Sequence, residues 1–242
     1  MPNLTINSAR LVWDEQNHPH SSQFDDHYYS LVDGIEETRH VFIEGNDLPE
    51  RWREMRKHQT FKIMETGFGS GLNFLATWQL WNSINMGKTN KLHFVSIEAF
   101  PMDVMQLEKS LLNWHSQLSK FSSQLLEKYP VLDKGTHTIN FNDDNVTLTL
   151  IFGDIREVMP ELSFRATETV DAWYLDGFSP SKNPEMWQDD LYSEMYRLSA
   201  PLASVATYTV AGIVRRGLAT AGFQIDRKPG FGTKRDMLVA NK

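Results

Sequence analysis

Cysteine is absent from this chain of 242 residues. Its absence excludes disulfide bonds, zinc sites built on thiolates and a cysteine nucleophile. A chain without cysteine suits a reducing compartment, and its first residues, MPNLTINSARLVW, lack the basic start and apolar core of a signal peptide. We therefore expect a cytoplasmic protein.

Long apolar runs are also missing. The longest stretch without a charged residue, from Thr66 to Gly87, opens on glycines and contains four Asn and Gln side chains. We predict no transmembrane helix there. The 40% of hydrophobic residues are ample for a packed core.

An excess of basic charge is lacking as well, since 24 Lys and Arg face 31 Asp and Glu, for a net charge of −7. This excludes the uniformly basic surface of a non-specific nucleic-acid binder. The charge is uneven, however, because the segment from Val205 to Lys242 holds seven Lys and Arg against two Asp. An RNA partner would need such a local patch.

Strand and helix patterns alternate from Phe61 onward and predict an α/β fold with a mostly parallel sheet covered on both faces. The last two strands are joined by only about eight residues and must be antiparallel. Residues 1–60 are interpreted as an N-terminal elaboration of hairpins and loops packed on the core, and residues 61–242 as the main domain. Seven strands are predicted, at 61–64, 92–97, 147–152, 172–175, 203–208, 223–227 and 236–240.

Acidic residues follow or end the first four of these strands: Glu65, Glu98, Asp154 and Asp176. Ligands of such sheets bind outside the carboxyl ends of the strands. A single acid there is most often a helix cap or a solvated loop residue. Four in register indicate a ligand site.

A glycine loop, Gly67-Phe68-Gly69-Ser70-Gly71, follows the first strand. Such a loop lets the backbone approach a ligand, although an ordinary tight turn is an equal alternative. A dinucleotide fingerprint would need a third glycine at position 72, which is Leu72. The spacing instead resembles the first motif of Rossmann-like S-adenosylmethionine (SAM) methyltransferases.

SAM carries a positive sulfonium and no pyrophosphate, which suits a pocket walled by carboxylates. We predict that Glu98 accepts hydrogen bonds from the ribose hydroxyls, Asp154 accepts one from the adenine amino group, and Glu65 meets the ammonium of the methionine part.

Asp176 begins the segment Asp-Gly-Phe-Ser-Pro, similar to the motif with which N-methyltransferases hold an amine. Methyl transfer needs the amine lone pair in line with the S–CH₃ bond. Asp176 is predicted to orient the amine and receive its proton, directly or through water. Phe178 and Trp187 are predicted to wall the substrate pocket. The alternatives are a loop cap for Asp176 and core packing for the aromatic residues.

Five longer segments carry a more specific resemblance: EETRHVFIEGNDLPERW, ETGFGSGLNFL, LDGFSPSKNPEMW, AGIVRRGLATAGF and KPGFGTKRDML. From about Phe24 to the C-terminus the chain resembles the methyltransferase domain of the MnmC family of bacterial tRNA wobble-uridine enzymes and its stand-alone relatives. This implies a class I Rossmann-like fold and SAM-dependent methylation of 5-aminomethyl-2-thiouridine to 5-methylaminomethyl-2-thiouridine. Bifunctional members continue into an FAD-dependent oxidase domain. The sequence stops at Lys242 before such a domain, as a stand-alone enzyme or as a piece of a longer one.

The resemblance also implies site residues. It places Asp176 in the amine motif, has Asn73 touch the cofactor, and puts Asp25, Asp26 and Tyr28 in a motif that is either a loop over the site or a capped turn. The residues that fall in the cofactor motifs are Glu65, Gly67, Gly69, Gly71, Glu98 and Asp154.

A tRNA substrate requires basic contacts in an acidic chain. We predict that five side chains face phosphates around the anticodon loop, with solvated surface charge as the alternative. They are Lys182, Arg215, Arg216, Lys234 and Arg235. His18 and His20 lack further ligands at metal-binding spacing, so no metal site is predicted.

Three other functions stay open at this point. A nicotinamide-dependent oxidoreductase is disfavoured by Leu72 and by the lack of a recognisable set of hydride-transfer residues. A non-catalytic tRNA-binding module would not need an intact cofactor motif and Asp176. A SAM-dependent methyltransferase for another amine, such as a polyamine, is less natural beside the basic C-terminal segment.

Overall fold

A computed structural model describes residues 6–85, 89–163 and 169–242. The N-terminal region opens with a small antiparallel sheet and continues into short helices. Its elements are β1 (Leu11–Trp13), β2 (Pro19–Ser21), β3 (Asp26–His27), α1 (Gly34–Glu37), a π-helical turn (Thr38–Glu44) and α2 (Leu48–Arg53). The prediction of hairpins and loops was therefore wrong for residues 34–53, because each helix is too short to display a 3.6-residue period.

The remaining elements alternate as expected. In chain order they are β4 (Thr60–Glu65), α3 (Leu72–Ile84), β5 (Lys91–Glu98), α4 (Val104–Leu111) with a 3₁₀ turn (Leu112–Trp114), α5 (His115–Lys128), β6 (Gly135–Phe141), β7 (Val146–Phe152), α6 (Ile155–Glu161), β8 (Val170–Tyr174), α7 (Asp189–Leu198), β9 (Ser199–Thr207), α8 (Gly212–Ala221), β10 (Gln224–Pro229) and β11 (Asp236–Asn241).

The large sheet has the order β10-β11-β9-β8-β4-β5-β7-β6. Strands β9, β8, β4, β5 and β7 pair in parallel, which confirms the mostly parallel α/β fold. Strand β11 runs antiparallel to both β9 and β10, as predicted for the last strand.

The predicted count of seven strands was wrong, because the described residues form eight strands in this sheet. Strand β6 pairs antiparallel with β7 at the edge. Its sequence, GTHTINF, buries only Ile139 and Phe141 and exposes Asn140 between them. An edge strand with so few apolar residues gives a weak sequence signal.

The N-terminal region shares the core of the sheet. The Trp52 ring lies edge-on to Trp81 with 5.1 Å between centroids, and Phe42 stacks on Tyr174 at 5.0 Å. The side-chain amide of Asn46 donates to the backbone carbonyl of Trp173 at 3.2 Å. These contacts fix the N-terminal region against α3 and β8, beside the carboxyl ends of the central strands.

No helix in the described ranges combines the length and the apolar character needed to cross a lipid bilayer.

Candidate active site

The glycine loop after β4 turns the chain into α3. Gly69 and Gly71 have φ angles of +52° and +70°, the left-handed region in which a side chain is strained. A Cβ atom on Gly69 would also lie 3.2 Å from the ring of Tyr28. The backbone N–H of Gly69 donates to Glu98 Oε2 at 2.9 Å, which ties the loop to the end of β5. The loop therefore requires glycine for both its conformation and its close contacts.

A cavity of about 680 Å³ opens at the carboxyl ends of β4, β5, β7 and β8. This volume is within the usual range for small-molecule sites, roughly 300–1,000 Å³. Nine of the residues predicted to act in catalysis or to bind cofactor or substrate line it. They are Gly67, Gly69, Asn73, Glu98, Asp154, Asp176, Phe178, Lys182 and Lys234.

Asp176 is held on both its backbone and its carboxylate. Its N–H donates to Thr66 Oγ1 at 2.9 Å, and the Thr66 hydroxyl lies 2.5 Å from the Asp176 carbonyl oxygen. The carboxylate accepts from Gly177 N at 2.8 Å and from Asn73 Nδ2 at 2.7 Å. Burial raises the pKa of Asp176 to about 6, although these donors oppose the shift. A carboxyl group of this pKa is ionised above pH 6 and exchanges protons near neutrality.

Glu65 lies behind Asn73 and does not line the cavity. It is fully buried, and its carboxylate accepts from Ser96 Oγ at 2.7 Å and from Asn73 Nδ2 at 2.9 Å. Burial raises the pKa of Glu65 well above its usual value. Because one amide group donates to both Glu65 and Asp176, Asn73 bridges the ends of β4 and β8. Asn73 was predicted to touch the cofactor, and this bridge was not predicted.

Glu98 and Asp154 differ in what occupies their carboxylates. Glu98 accepts from the backbone N–H groups of Gly69 and Phe100, at 2.9 and 2.8 Å. Burial raises its pKa, and these donors oppose the shift. Asp154 caps α6 by accepting from Arg156 N at 2.9 Å and pairs with the Arg156 guanidinium at 2.6 Å, which lowers the pKa of Asp154. The contacts of Asp154 are thus those of the helix-cap alternative.

Besides Glu65, five of the predicted cofactor-, base- and phosphate-contacting residues do not line the cavity. Gly71 is buried below it, at the start of α3. Trp187 is fully buried and donates its indole N–H to the Phe178 carbonyl at 2.9 Å, so it packs behind Phe178 rather than walling the pocket. Arg215 and Arg216 line a separate groove between α8 and β10, and Arg235 is 95% exposed. The residues predicted to face phosphates therefore do not form one surface, since Lys182 and Lys234 line the cavity and the arginines lie elsewhere.

The N-terminal segment around β3 packs against the loop that follows Asp176. Phe24 stacks on Phe178 with 4.7 Å between centroids, and Asp26 Oδ2 accepts from Ser179 N at 2.9 Å. Asp25 pairs with Lys182 at 2.5 Å. Phe24, Asp26 and Tyr28 also line the cavity, so this segment forms one of its walls.

Two further cavity residues come from parts of the chain that the sequence analysis did not associate with the site. Glu37 of α1 pairs with Lys234 at 2.9 Å. The Tyr208 hydroxyl, just after β9, donates to the Gly177 carbonyl at 2.8 Å, and the Lys234 ammonium lies 4.2 Å above the Tyr208 ring. No local motif distinguishes these residues in the sequence, because only the fold brings them together.

A metal site is not formed by the described residues, in which no three His, Asp or Glu side chains are grouped to hold an ion. His18 instead contacts Asp14 at 2.8 Å.

The donors and acceptors of the cavity match the chemistry of SAM. Glu98 offers carboxylate oxygens for hydroxyl donors, the glycine loop leaves space for a close ligand, and the carboxylate of Asp176 lies in the same cavity. The arrangement defines a nucleoside-binding α/β site of the methyltransferase type.

Comparison with known proteins identifies the class. A family model described as S-adenosyl-L-methionine-dependent methyltransferase matches residues 116–242. The chain therefore belongs to the SAM-dependent methyltransferase family, and SAM is its cofactor. Membership in this family favours methyl transfer over the alternative of a nicotinamide-dependent oxidoreductase.

Two curated relatives share the name MnmC. The chain is 46% identical over 241 residues to the tRNA 5-methylaminomethyl-2-thiouridine biosynthesis bifunctional protein MnmC of Vibrio campbellii, covering 98% of this chain and 36% of that protein. It is 49% identical over 232 residues to the MnmC of Chromobacterium violaceum, covering 96% and 34%. The chain thus spans about a third of the length of these curated relatives.

A solved structure supports the fold. The crystal structure of MNMC2 from Aquifex aeolicus superposes with a TM-score of 0.73 at 23% identity, over 97% of this chain and 70% of that one.

The raised pKa of Asp176 predicts a pH-dependent stability. A carboxyl group whose folded-state pKa lies above its unfolded value costs stability when ionised, and this cost disappears as the pH falls through 6 toward 4. The free energy of unfolding of Asp176→Asn, relative to the unsubstituted protein, should rise between pH 4 and 7 by at most about 3 kcal/mol. Chemical denaturation across this range measures it. The exposed Asp143→Asn is the control, and a difference independent of pH would contradict the prediction.

Proposed function

We propose that this chain methylates the exocyclic amine of 5-aminomethyl-2-thiouridine at the wobble position of tRNA, with SAM as donor. The carboxylate of Asp176, beside the glycine loop in the cavity at the carboxyl ends of the strands, carries the proposal. The choice of nucleoside rests on the names of two relatives whose matches cover nearly all of this chain. The FAD-dependent oxidase domain, in the same chain or acting separately, stays a prediction.

The cofactor is assigned to the β4–β5–β7 side of the cavity. SAM supplies an electrophilic methyl group on a positively charged sulfur. Gly67 and Gly69 allow close approach, and the Glu98 carboxylate, held by backbone N–H groups, lines the cavity where the ribose hydroxyls would donate to it. Asp154 would have to share its carboxylate between Arg156 and the adenine amino group. Glu65 acts on the methionine end through Asn73, because Asn73 separates it from the cavity.

Asp176 is assigned to the amine. A protonated amine has no lone pair, so the reacting group must lose a proton before or during transfer. Above pH 6 the Asp176 carboxylate is ionised and can accept that proton, directly or through a water molecule. Methyl transfer would form the N–C bond while the S–C bond breaks with its electrons left on sulfur, and the proton lost by the amine would pass to Asp176.

The base is assigned to the aromatic wall. A wobble base must leave the anticodon stack to bring its substituent into a cavity, and flipped bases stack on aromatic side chains. Phe178 follows Asp176 by two residues, and its carbonyl is fixed by the Trp187 indole. Phe24 stacks on the same ring and extends this wall.

The RNA backbone is assigned to two surfaces. Arg215 and Arg216 are exposed and, within the described part of the chain, form no ion pair; with Arg227 they line a groove of about 340 Å³. At the cavity, Lys182 and Lys234 are paired with Asp25 and Glu37. A phosphate at either lysine must compete with that carboxylate, so the arginine groove offers the stronger contact.

A methylation assay tests the substrate. The protein is incubated with SAM labelled in its methyl group and with tRNA carrying 5-aminomethyl-2-thiouridine, beside the same tRNA lacking the aminomethyl group. Label should enter only the first tRNA and yield 5-methylaminomethyl-2-thiouridine on nucleoside analysis. Labelling of neither tRNA, or of both equally, would refute the proposal.

Replacement of the proposed proton acceptor tests the chemistry. Asp176→Ala should lower kcat for methyl transfer by more than about 100-fold, the usual scale for a positioned acid–base group. The affinity for SAM, measured by calorimetry, should stay within several-fold because Asp176 faces the amine. Near-normal turnover would reduce Asp176 to a loop cap. In the unsubstituted enzyme, kcat should fall below pH 6.

Charge reversal tests the arginine groove. The double change Arg215→Glu and Arg216→Glu should weaken tRNA binding at least about tenfold and flatten its dependence on log salt by about two, since each phosphate contact contributes roughly 0.9 to that slope. Lys57→Glu, an exposed reversal just before β4, is the matched control. An unchanged salt slope in the double variant would exclude the groove from the RNA interface.

A further inference from the structure

Asn73 is the only described side chain with hydrogen bonds to both Glu65 and Asp176. Its amide nitrogen lies 2.9 Å from Glu65 Oε1 and 2.7 Å from Asp176 Oδ2. A primary amide has two N–H bonds, so both are used in this bridge. Gly177 N occupies the other Asp176 oxygen at 2.8 Å, and the carboxylate is therefore fixed at both oxygens.

Thr38 holds the opposite side of the same amide. Its hydroxyl oxygen lies 2.6 Å from Asn73 Oδ1 and 3.0 Å from the Gly34 carbonyl. Thr38 is buried, so its hydroxyl group cannot donate to bulk water. When that proton is donated to Oδ1, the NH₂ group faces the two carboxyl groups. The reversed amide would turn its oxygen toward both of them and lose two hydrogen bonds.

We propose that Thr38 and Asn73 are positioning residues for the methyl transfer: Thr38 orients the Asn73 amide, and Asn73 aims the Asp176 carboxylate at the amine. This inference rests on the proposed function for its kinetic consequences. It gives the N-terminal π-helical turn a part in the reaction, although Thr38 lines no part of the cavity. Glu65 then anchors the amide from behind.

The charged and titratable groups around Asp176 affect its ionisation together with the Asn73 amide. Glu37 of α1 opposes ionisation of Asp176, and Lys234 of the β10–β11 turn favours it. Glu65 of β4 lies across Asn73, and Tyr208 lies beside Gly177 after β9. The Asn73 N–H stabilises the ionised Asp176 carboxylate. Without that hydrogen bond, the repulsion of the ionised carboxylate by Glu37 and Glu65 is less well offset. The pKa of Asp176 should then rise.

Two pairs of variants separate orientation from folding. Thr38→Val keeps the shape and removes the hydroxyl, whereas Thr38→Ser keeps the hydroxyl. Asn73→Leu removes the bridge at similar volume, and Ser83→Ala, an exposed change on the same helix, is its control. Thr38→Val should lower kcat by about tenfold or more, with KM for SAM changed less than twofold, and Thr38→Ser should restore most of it.

The readout that does not depend on activity is the titration of Asp176. Its side-chain ¹³C resonance, assigned by its loss in Asp176→Asn, should titrate at higher pH in Asn73→Leu and in Thr38→Val, and the acid limb of the kcat profile should shift in the same direction. An unchanged Asp176 pKa in both variants would overturn the inference. If the unsubstituted protein methylates no tRNA but these pKa values rise, the proposed function fails and the positioning of Asp176 stands.

Discussion

The site depends on three buried carboxyl groups at the ends of β4, β5 and β8. Glu65 is fully buried, and burial raises the pKa of Glu65, Glu98 and Asp176 alike. A buried carboxylate is tolerated only where donors replace its water. Here the donors are backbone N–H groups of the glycine loop and of the residues after each strand, the Ser96 hydroxyl and the Asn73 amide. The need for donors explains the loop conformation and the position of α3.

The N-terminal region completes this site as well as covering the sheet. Its π-helical turn supplies Thr38 to the Asn73 amide, and its β3 segment supplies Phe24 and Asp26 to the loop after Asp176. Its acids Asp25 and Glu37 pair with the two lysines of the cavity. The two lysines of the cavity are thus paired, whereas Arg215 and Arg216 form no ion pair within the described residues and line a separate groove together with Asp226.

Much of this architecture follows from local sequence patterns. The alternation of strands and helices predicted the parallel sheet. Acids at four strand ends predicted a ligand site at one edge, because the carboxyl ends of parallel strands share it. Glu98, Asp154 and Asp176 line the cavity there, whereas Glu65 is buried behind Asn73. Leu72 in place of a third glycine correctly distinguished the cofactor. In each case the signal lies within a few residues of the element that it describes.

Other features depend on contacts between distant parts of the chain. The burial of Glu65 and the bridge through Asn73 depend on how α3 leaves the loop beside β8, and Glu37 and Tyr208 enter the cavity from separate elements. Trp187 was predicted to wall the pocket with Phe178, yet its ring packs behind Phe178. Strand β6 was missed because an edge strand needs few apolar residues. The position of Arg215 and Arg216 away from the cavity depends on the packing of α8 beside β10, which no local pattern shows.

The central claim is that SAM occupies the cavity with its sulfur facing Asp176. A crystal structure with S-adenosylhomocysteine, the product that keeps the sulfur but has lost the methyl group, tests it most directly. The account predicts ribose hydroxyls on Glu98, the amino-acid end at the glycine loop near Asn73, and the sulfur open toward the Asp176 carboxylate. Binding elsewhere, or with Asp176 screened from the sulfur by protein atoms, would contradict it.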